Sequence, residues 1–269
     1  MTDRYAVIGN PISHSKSPLI HSLFAEQTGQ DIGYVAIEAP LDGFAETIKR
    51  LHSEGYKGCN VTVPFKQAAF QLGIIDITMS HSEDVDNARA ANTLKFLDDK
   101  VEVANTDGIG LVRDIEQNLG IKLTGKRILL IGAGGAARGV LLPLRRADAN
   151  ITITNRTIDK AHQLARRFPV PSCSFEELAD KQFDIVINAT SSGLSDEMPD
   201  VPKTIFAEGS LAYDMMYGKE TRFMAFARTN GASVIADGLG MLVEQAAEAF
   251  YLWRGVRPDT KPVIAALRP

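Results

Sequence analysis

Lys66 is the residue in this chain best suited to proton transfer. It ends the segment of residues 60–66, in which a strand-like alternation, with Asn60 and Thr62 on one face, runs into a helix that Pro64 opens. A lysine in the first helical turn lies at the positive end of the helix dipole, which favours the neutral amine and eases proton transfer. On the pattern alone, a solvated surface lysine is the simpler interpretation.

Asp107 is the candidate partner of this lysine. It follows Asn105 and Thr106, at the predicted end of the first domain, which we expect to open onto a cleft between domains. A carboxylate near Lys66 would keep the ammonium charged and aimed, and it could accept a hydrogen bond from a substrate hydroxyl. A helix N-cap is the competing interpretation, because aspartate is well suited to that position.

Ser15 and Ser17 lie between the first predicted strand and a predicted helix. Their hydroxyls could bind a carboxylate or a polyol, helped by the helix N-terminus. Ser17, which precedes Pro18, is also the predicted N-cap of that helix. His14 and His21 are isolated from other metal-ligating residues, so we expect structural roles for them and no metal site.

A glycine-rich turn with the sequence GAGGAAR, residues 132–138, lies between a strand-like run, residues 127–131, and a helical run, residues 136–146. Glycines allow the backbone to approach a pyrophosphate, and the free N–H groups at the helix start face the anion. Ala137 takes the third glycine position, which is an accepted variant. The pattern predicts a dinucleotide site, although such a turn by itself also occurs as a plain turn or a helix cap.

Arg156 indicates which dinucleotide the site would take. It follows the next predicted strand, residues 151–154, at a position where an NAD site usually has an acidic residue for the ribose 2′-hydroxyl. Here the strand ends in Asn155, Arg156 and Thr157, without an acid. A guanidinium between small polar groups suits a 2′-phosphate, so the sequence predicts NADP. A solvated loop charge is the alternative.

Alternating strand and helix patterns predict an α/β protein of two domains with a cleft between them. We expect an N-terminal α/β domain, residues 1–107, with a mostly parallel sheet, and a Rossmann-like NADP domain, residues 124–237. A helix in residues 108–123 is predicted to connect them, and C-terminal helices in residues 238–269 are predicted to pack back toward the first domain. Within these segments we predict a hairpin of residues 93–96 and 101–104, and helices over residues 109–119 and 242–253.

The composition fits a soluble enzyme and gives no indication of a nucleic-acid or membrane protein. The 269 residues include 45% hydrophobic residues, enough to bury one large core or two smaller ones. A net charge of −4 gives no electrostatic attraction to nucleic acid or anionic lipid. Two cysteines form no disulfide framework, and there is no signal-peptide pattern or apolar run of membrane-spanning length. We therefore expect a cytoplasmic protein.

Segments in order along nearly the whole chain resemble the shikimate dehydrogenase family. They include GNPISHSKSP at residues 9–18, NVTVPFK at 60–66, ANT at 91–93, NTDG at 105–108, the glycine-rich turn from residue 132, NRT at 155–157, NATSSG at 188–193, YDMMY at 213–217 and GLGMLV at 238–243. The resemblance implies that the first domain binds substrate and that the chain reduces 3-dehydroshikimate to shikimate reversibly with NADPH, in the route to aromatic amino acids. It also implies that Lys66 and Asp107 are the catalytic pair.

The resemblance assigns the remaining site residues position by position. The implied substrate contacts are Ser15, Ser17, Asn60, Thr62, Asn92, Tyr217 and Gln245. The implied cofactor contacts are Gly132, Ala133, Gly134, Gly135, Ala136, Asn155, Arg156, Thr157, Lys160, Thr190, Met215 and Gly238, with Glu83 added as a cofactor-side contact. In the implied mechanism, a hydride reaches the C3 carbonyl carbon while the Lys66 ammonium stabilises the oxygen and supplies the proton.

Two departures and two alternatives accompany this assignment. Lys160 stands where many relatives have a second arginine, and lysine lacks the planar fork of arginine for a 2′-phosphate. Residues 71–85 form a longer stretch than is usual in the family, and Glu83 lies within it. A quinate/shikimate dehydrogenase paralogue that uses NAD or NADP is the nearest alternative, and a non-catalytic NADP-sensing protein is a remote one. A monomer or a homodimer is expected.

Overall fold

The computed structural model describes residues 2–75, 79–98, 100–190 and 198–268, and residues 73–75 and 79–81 by their backbone alone. Its contacts divide the chain into two units. Unit 1 comprises Met1–Gly110 and Val243–Pro269, and unit 2 comprises Leu111–Leu242. The predicted connecting segment, residues 108–123, and the predicted C-terminal segment, residues 238–269, each begin in one unit and end in the other.

The described elements alternate between strand and helix. The strands are β1 Asp3–Gly9, β2 Ile32–Glu38, β3 Gly58–Val61, β4 Met79–His81, β5 Thr93–Phe96, β6 Val101–Ala104, β7 Arg127–Ile131, β8 Asn150–Thr154, β9 Ser172–Cys173, β10 Phe183–Asn188, β11 Phe206–Asp214 and β12 Val234–Ala236. The helices are α1 Ser17–Thr28, α2 Phe44–Ser53, α3 Lys66–Ile75, α4 Glu83–Ala88, α5 Asp107–Arg113, α6 Gly135–Arg146, α7 Ile158–Arg167, α8 Arg222–Thr229, α9 Leu239–Arg254 and α10 Lys261–Leu267.

Unit 1 is built on a six-stranded sheet in the order β2-β1-β3-β5-β6-β4. Three of its pairings are parallel, whereas β3–β5 and the predicted hairpin β5–β6 are antiparallel. Gly58 allows a close approach in this sheet, since a Cβ there would lie 2.5 Å from the Leu94 carbonyl oxygen and 2.6 Å from Trp253 Nε1. The indole of Trp253 donates a hydrogen bond to that same carbonyl, which fixes α9 on the sheet.

Unit 2 contains a fully parallel six-stranded sheet in the order β12-β11-β10-β7-β8-β9. Numbered from β7, this is the 3-2-1-4-5-6 order of the doubly wound dinucleotide-binding fold. The strand order reverses between β7 and β10, and ligands in such sheets bind at the carboxyl ends of the strands at this point. The predicted α/β fold class with a Rossmann-like second sheet is confirmed.

The prediction of one continuous α-helix over residues 109–119 is wrong. α5 ends at Arg113, and residues Asp114–Asn118 form a π-helical turn. The Tyr213 hydroxyl donates to Asp114 Oδ2 at 2.6 Å, and a Cβ at Gly240 would lie within 2.4 Å of the same carboxylate. These contacts come from distant parts of the sequence, so the local helical pattern does not contain them.

Other elements differ from expectation because they are short or weakly patterned. The strand predicted at the start of residues 60–66 ends at Val61, and the helix predicted to open at Pro64 begins at Lys66. Strands β4 and β9 have only three and two residues, so they give little alternation to detect. Within the described residues, no helix has both the length and the apolar character needed to cross a membrane.

Candidate active site

Lys66 and Asp107 form an ion pair in unit 1. Each is the first residue of its helix, α3 and α5 respectively, and the distance from Lys66 Nζ to Asp107 Oδ2 is 2.5 Å. The two side chains are 31% and 12% exposed, so water screens this pair less than a pair on the open surface. The structure therefore places an ammonium and a carboxylate in direct contact at a partly accessible position.

Neighbouring amides hold the carboxylate of Asp107 in place. The Asn92 side chain donates to its Oδ1 at 2.9 Å, while the Asp107 backbone N–H donates to Asn105 Oδ1 at 3.1 Å. Asn105 thus supplies the side-chain cap at the start of α5, and the carboxylate of Asp107 accepts from Lys66 and Asn92. The N-cap interpretation of Asp107 is therefore replaced by an ion-pair role, and Asn105 is a site residue that the sequence did not reveal.

Asn92 is the centre of a buried polar network. Its amide group also donates to Gln245 Oε1 at 3.2 Å, and its Oδ1 accepts from the Thr106 backbone N–H at 2.8 Å and from Thr93 Oγ1 at 2.9 Å. The residue is 2% exposed, and buried polar groups of this kind are stable only when they are hydrogen-bonded. Two predicted substrate contacts, Asn92 and Gln245, therefore touch each other.

The side-chain amide group of Asn60 donates hydrogen bonds to two groups within the protein. Its Nδ2 donates to the Asn92 carbonyl oxygen and to Thr93 Oγ1, each at 3.1 Å. Its Oδ1 accepts from the Tyr34 hydroxyl at 2.7 Å. A carbonyl oxygen has two lone pairs, so a substrate hydroxyl could still donate to Asn60 Oδ1. Tyr34, which orients this amide, was not predicted to be near the site.

The predicted N-cap role of Ser17 is wrong. Ser17 is the first residue of α1, and its backbone N–H donates to Ser15 Oγ at 3.2 Å. Ser15 therefore accepts the hydrogen bond at the helix start, and its hydroxyl hydrogen stays available to an anionic or polar ligand. Thr62 lies just after β3, next to Gly9, where a Cβ would come within 2.7 Å of the Thr62 methyl group.

His21 is a fully buried residue of the unit 1 core, in line with its expected structural role. Its ring stacks on Tyr34 with centroids 4.1 Å apart and lies among Phe24, Phe250 and Trp253. Neither ring nitrogen makes a satisfactory hydrogen bond to a described residue. Burial lowers the pKa of His21 from 6.5 to about 3, and the nearby Asn60 amide offsets only part of this shift.

Replacing His21 with phenylalanine should flatten the loss of stability in acid. The unfolded chain binds a proton below pH 6.5 that the folded chain accepts only near pH 3, so the free energy of unfolding falls as the pH falls between these values. Between pH 7.5 and 5.0 this linkage costs about 2 kcal/mol in the wild type and nothing in the variant.

Urea unfolding at both pH values measures the difference, followed by the fluorescence of Trp253, the chain's single tryptophan. An exposed histidine, replaced in His52→Gln, should leave the wild-type decrease unchanged. Equal decreases in the wild type and His21→Phe would show that His21 is not buried in its neutral form.

The glycine-rich turn in unit 2 has the shape of a pyrophosphate cradle. Gly132 follows β7 with a φ of +120°, and a Cβ there would lie 3.1 Å from the carbonyl group of Ala189. Gly134 precedes α6 in an extended conformation, and Gly134, Gly135 and Ala136 are exposed. The first N–H groups of α6 lack helical partners and face an accessible surface, so these residues fit a bound diphosphate.

The predicted 2′-phosphate residues follow the adjacent strand. The Gly132 backbone N–H donates to the Thr154 carbonyl at 2.8 Å, which brings the glycine-rich turn next to Asn155 and Arg156 at the end of β8. The Asn155 amide donates to the Thr157 carbonyl at 2.8 Å and thereby shapes this turn. Arg156 and Lys160 are exposed, so both cations are accessible to a phosphate.

Thr190, Met215 and Gly238 lie at the carboxyl ends of β10, β11 and β12. The Met215 backbone N–H donates to the Asn188 carbonyl, and Thr190 donates to Asn188 Oδ1. A Cβ at Gly238 would be 2.3 Å from the Met215 carbonyl oxygen, so only glycine fits there. Tyr217 follows Met215 and is partly buried, and this burial raises its pKa.

Glu83 is exposed at the start of α4 in unit 1, and its cofactor-side role stays a prediction. Across the described residues, no group of three or more histidine, cysteine, aspartate or glutamate side chains could hold a metal ion.

Family models match three parts of the chain. They are the shikimate dehydrogenase substrate binding domain at residues 7–94, shikimate/quinate 5-dehydrogenase at residues 113–195 and the shikimate 5′-dehydrogenase C-terminal domain at residues 238–268. A shikimate dehydrogenase (NADP(+)) from Methylobacillus flagellatus is 58% identical over 272 residues, covering 99% of both chains. The chain belongs to the shikimate dehydrogenase (NADP(+)) family. NADP is therefore its cofactor, and its reaction is the interconversion of 3-dehydroshikimate and shikimate.

Solved structures agree with this membership of the shikimate dehydrogenase family. An Ael1 enzyme from Pseudomonas putida is 49% identical, covers 100% of this chain and 99% of its own, and gives a TM-score of 0.94. A Thermus thermophilus shikimate 5-dehydrogenase in complex with NADP(H) and shikimate is 32% identical, with 98% of each chain covered and a TM-score of 0.87.

Proposed function

We propose that Lys66 and Asp107 perform the proton chemistry of the shikimate dehydrogenase reaction. The observation that carries this proposal is the 2.5 Å contact between Lys66 Nζ and Asp107 Oδ2. NADPH, when bound, supplies a hydride to the carbonyl carbon. The residues of the chain must therefore provide a proton at the carbonyl oxygen and must stabilise the negative charge that develops there.

Lys66 is proposed to donate this proton from its ammonium group. An ammonium beside the reacting oxygen stabilises negative charge as it forms, and in shikimate oxidation the neutral amine accepts the hydroxyl proton. Asp107 aims Nζ and does not itself transfer the proton. A carboxylate offers about four lone-pair sites, so Asp107 can accept from Lys66, Asn92 and a neighbouring substrate hydroxyl together.

Hydroxyl and amide groups are proposed to bind the substrate. They belong to Ser15, Ser17, Asn60, Thr62, Asn92, Tyr217 and Gln245. The contacts described above favour different tasks for three of them. Ser15 has a free hydroxyl hydrogen for an anionic oxygen, Asn60 can act only as an acceptor, and Asn92 primarily holds Asp107 and Gln245 in place.

The cofactor contacts are proposed to divide among three parts of NADP. Residues 132–136 hold the pyrophosphate, and Asn155, Arg156, Thr157 and Lys160 surround the 2′-phosphate. Thr190, Met215 and Gly238 border the nicotinamide, with Glu83 as a further cofactor-side contact. We also propose residues 1–107 as the substrate domain and residues 124–237 as the NADP domain, a cytoplasmic location, and a monomer or homodimer without nucleic-acid or membrane partners.

A steady-state assay tests substrate and cofactor choice directly. Shikimate and quinate are each oxidised with NADP and with NAD, and kcat/KM is compared across the four combinations. We expect shikimate with NADP to be preferred, because Arg156 follows β8 where an NAD site would have an acid. Substantial turnover of quinate with NAD would instead identify a quinate/shikimate dehydrogenase of broader specificity.

Replacing Arg156 with glutamine should raise the KM for NADP by about 10- to 100-fold, since hydrogen bonds to charged groups contribute about 1.5–3 kcal/mol. The KM for NAD, which has no 2′-phosphate, should change by less than about twofold. Arg166, an exposed arginine in the last turn of α7, provides the matched control in Arg166→Gln. Equal increases for both cofactors would place Arg156 outside the 2′-phosphate site.

A further inference from the structure

Asp214 is a buried carboxylate at the end of β11 that the proposed mechanism does not use. It is 0% exposed and lies directly before the turn of residues 215–217. Its Oδ2 accepts from Thr221 Oγ1 at 2.5 Å and from Asn188 Nδ2 at 3.2 Å, and its Oδ1 accepts from the Met216 backbone N–H at 3.0 Å. Burial raises the pKa of Asp214, and these donors lower it in part.

Burying a charged group in this position lowers the free energy of unfolding. An apolar residue of similar size often stabilises a core as well as or better than a buried charge, so stability alone does not explain this side chain. The three donors belong to three separate segments: the turn after β11, the end of β10 and the start of α8. Asp214 is therefore the point at which these segments are joined.

The hydroxyl of Thr221 has a fixed direction in this network. Its oxygen caps α8 by accepting from the Met224 backbone N–H, so its single hydrogen is free to donate to Asp214. Substitution of the carboxylate by a neutral amide would place a donor among three existing donors. The geometry thus requires an acceptor on both oxygens at position 214.

Asn188 links Asp214 to a second turn, residues 189–190. Its Nδ2 faces Asp214, which leaves its Oδ1 to accept from the Thr190 backbone N–H at 3.2 Å and from Thr190 Oγ1 at 2.7 Å. A flipped amide would direct its hydrogens at the Thr190 N–H. Asp214 therefore orients residues 189–190 through Asn188 and orients residues 215–217 directly.

We infer that Asp214 is a positioning residue that fixes both turns bordering the nicotinamide. This inference rests on the proposed roles of Thr190 and Met215 beside the nicotinamide. The other anchors of the cofactor, residues 132–136 and Arg156, follow strands β7 and β8 and take no part in the hydrogen bonds described for Asp214 and Asn188. Disturbing Asp214 should therefore misplace the nicotinamide without releasing NADPH.

Asp214→Asn tests the inference, because asparagine keeps the size of the side chain and removes an acceptor. Misplacement of reacting groups by about 1 Å lowers rates by about 10²-fold, so we expect kcat to fall by about 10- to 100-fold. The Kd for NADPH, measured by fluorescence titration, should stay within about threefold of the wild type. The emission of bound NADPH should also change, since it reports the surroundings of the nicotinamide.

Tyr213→Phe is a matched control on the same strand. It removes a buried hydrogen bond to a carboxylate, Asp114, which lies outside residues 188–190 and 214–221. We expect its kcat to stay within about twofold of the wild type, even where the variant unfolds at a lower temperature than the wild type. An Asp214→Asn enzyme with kcat and bound-NADPH emission like those of Tyr213→Phe would overturn the inference.

Thr221 provides a second test should Asp214→Asn fail to fold. Thr221→Ser keeps the hydroxyl and should retain kcat, whereas Thr221→Val removes it and should lower kcat at nearly constant NADPH affinity. Equal kcat values for these two variants would contradict the inference. Met215→Ala in the same emission measurement separates this result from a failure of the proposed roles, because unchanged emission of bound NADPH in that variant would show that residues 215–217 do not border the nicotinamide.

Discussion

Replacing Lys66 with alanine is expected to lower kcat for shikimate oxidation by roughly 10²- to 10⁴-fold, the usual contribution of general acid–base catalysis. The KM for shikimate should change much less, because the proposed substrate contacts of Asn60, Asn92 and Gln245 do not depend on the ammonium. The side chain of Lys66 stabilises charge that exists only as the reaction proceeds, and loss of such an interaction appears in kcat.

Steady-state kinetics with saturating NADP measures this effect. Lys49→Ala is the matched control, since Lys49 is an exposed lysine on α2 in the same unit. Circular dichroism and thermal unfolding should show that both variants are folded. A Lys66→Ala enzyme that keeps more than half of the wild-type kcat would exclude Lys66 as the proton donor.

Features with a local physical cause could be predicted from the sequence. The turn at Gly132 has a positive φ and leaves little room for a Cβ, and a strand and a helix with clear patterns flank it. The end of β8 places Arg156 on the strand adjacent to that turn. Strand, turn and helix succeed one another within about thirty residues, so motif and spacing were sufficient for this half of the site.

Features that depend on contacts between distant segments could not be predicted in this way. Tyr34 reaches Asn60 from the other side of β1, and Asp214 reaches Asn188 across two strands that are 26 residues apart in sequence. Neither tyrosine nor aspartate differs locally from many other half-buried or strand-end residues. Their roles follow from sheet order, which pattern analysis of one sequence does not provide.

The pair of Lys66 and Asp107 combines a local sequence signal with a contact between distant segments. Position in the first helical turn marked Lys66, and the end of the first predicted domain marked Asp107, but each also had a simple structural interpretation. The contact between Nζ and Oδ2 decides between these interpretations, together with Asn105, which takes over the cap of α5. One asparagine two residues earlier thus frees the aspartate for the lysine.

Replacing Asp107 with asparagine should lower kcat by about 10²- to 10³-fold, because the variant loses the group that aims Lys66. An amide has one acceptor oxygen, whereas Lys66 and Asn92 both direct donors at this side chain. One of these donors would then face the amide hydrogens, so the ammonium or the Asn92 network must shift. Asp42→Asn, at an exposed aspartate of unit 1, is the control and should keep the wild-type kcat.

The double variant Lys66→Ala/Asp107→Asn distinguishes a catalytic unit from two independent contributions. If Asp107 acts by aiming Lys66, its loss matters little once the lysine is absent, and kcat of the double variant should lie within about threefold of that of Lys66→Ala. Independent roles would instead multiply the two effects and lower kcat by about 10²- to 10³-fold more than in Lys66→Ala. Strict multiplication would therefore contradict a positioning role for Asp107, even if each single variant were as slow as expected.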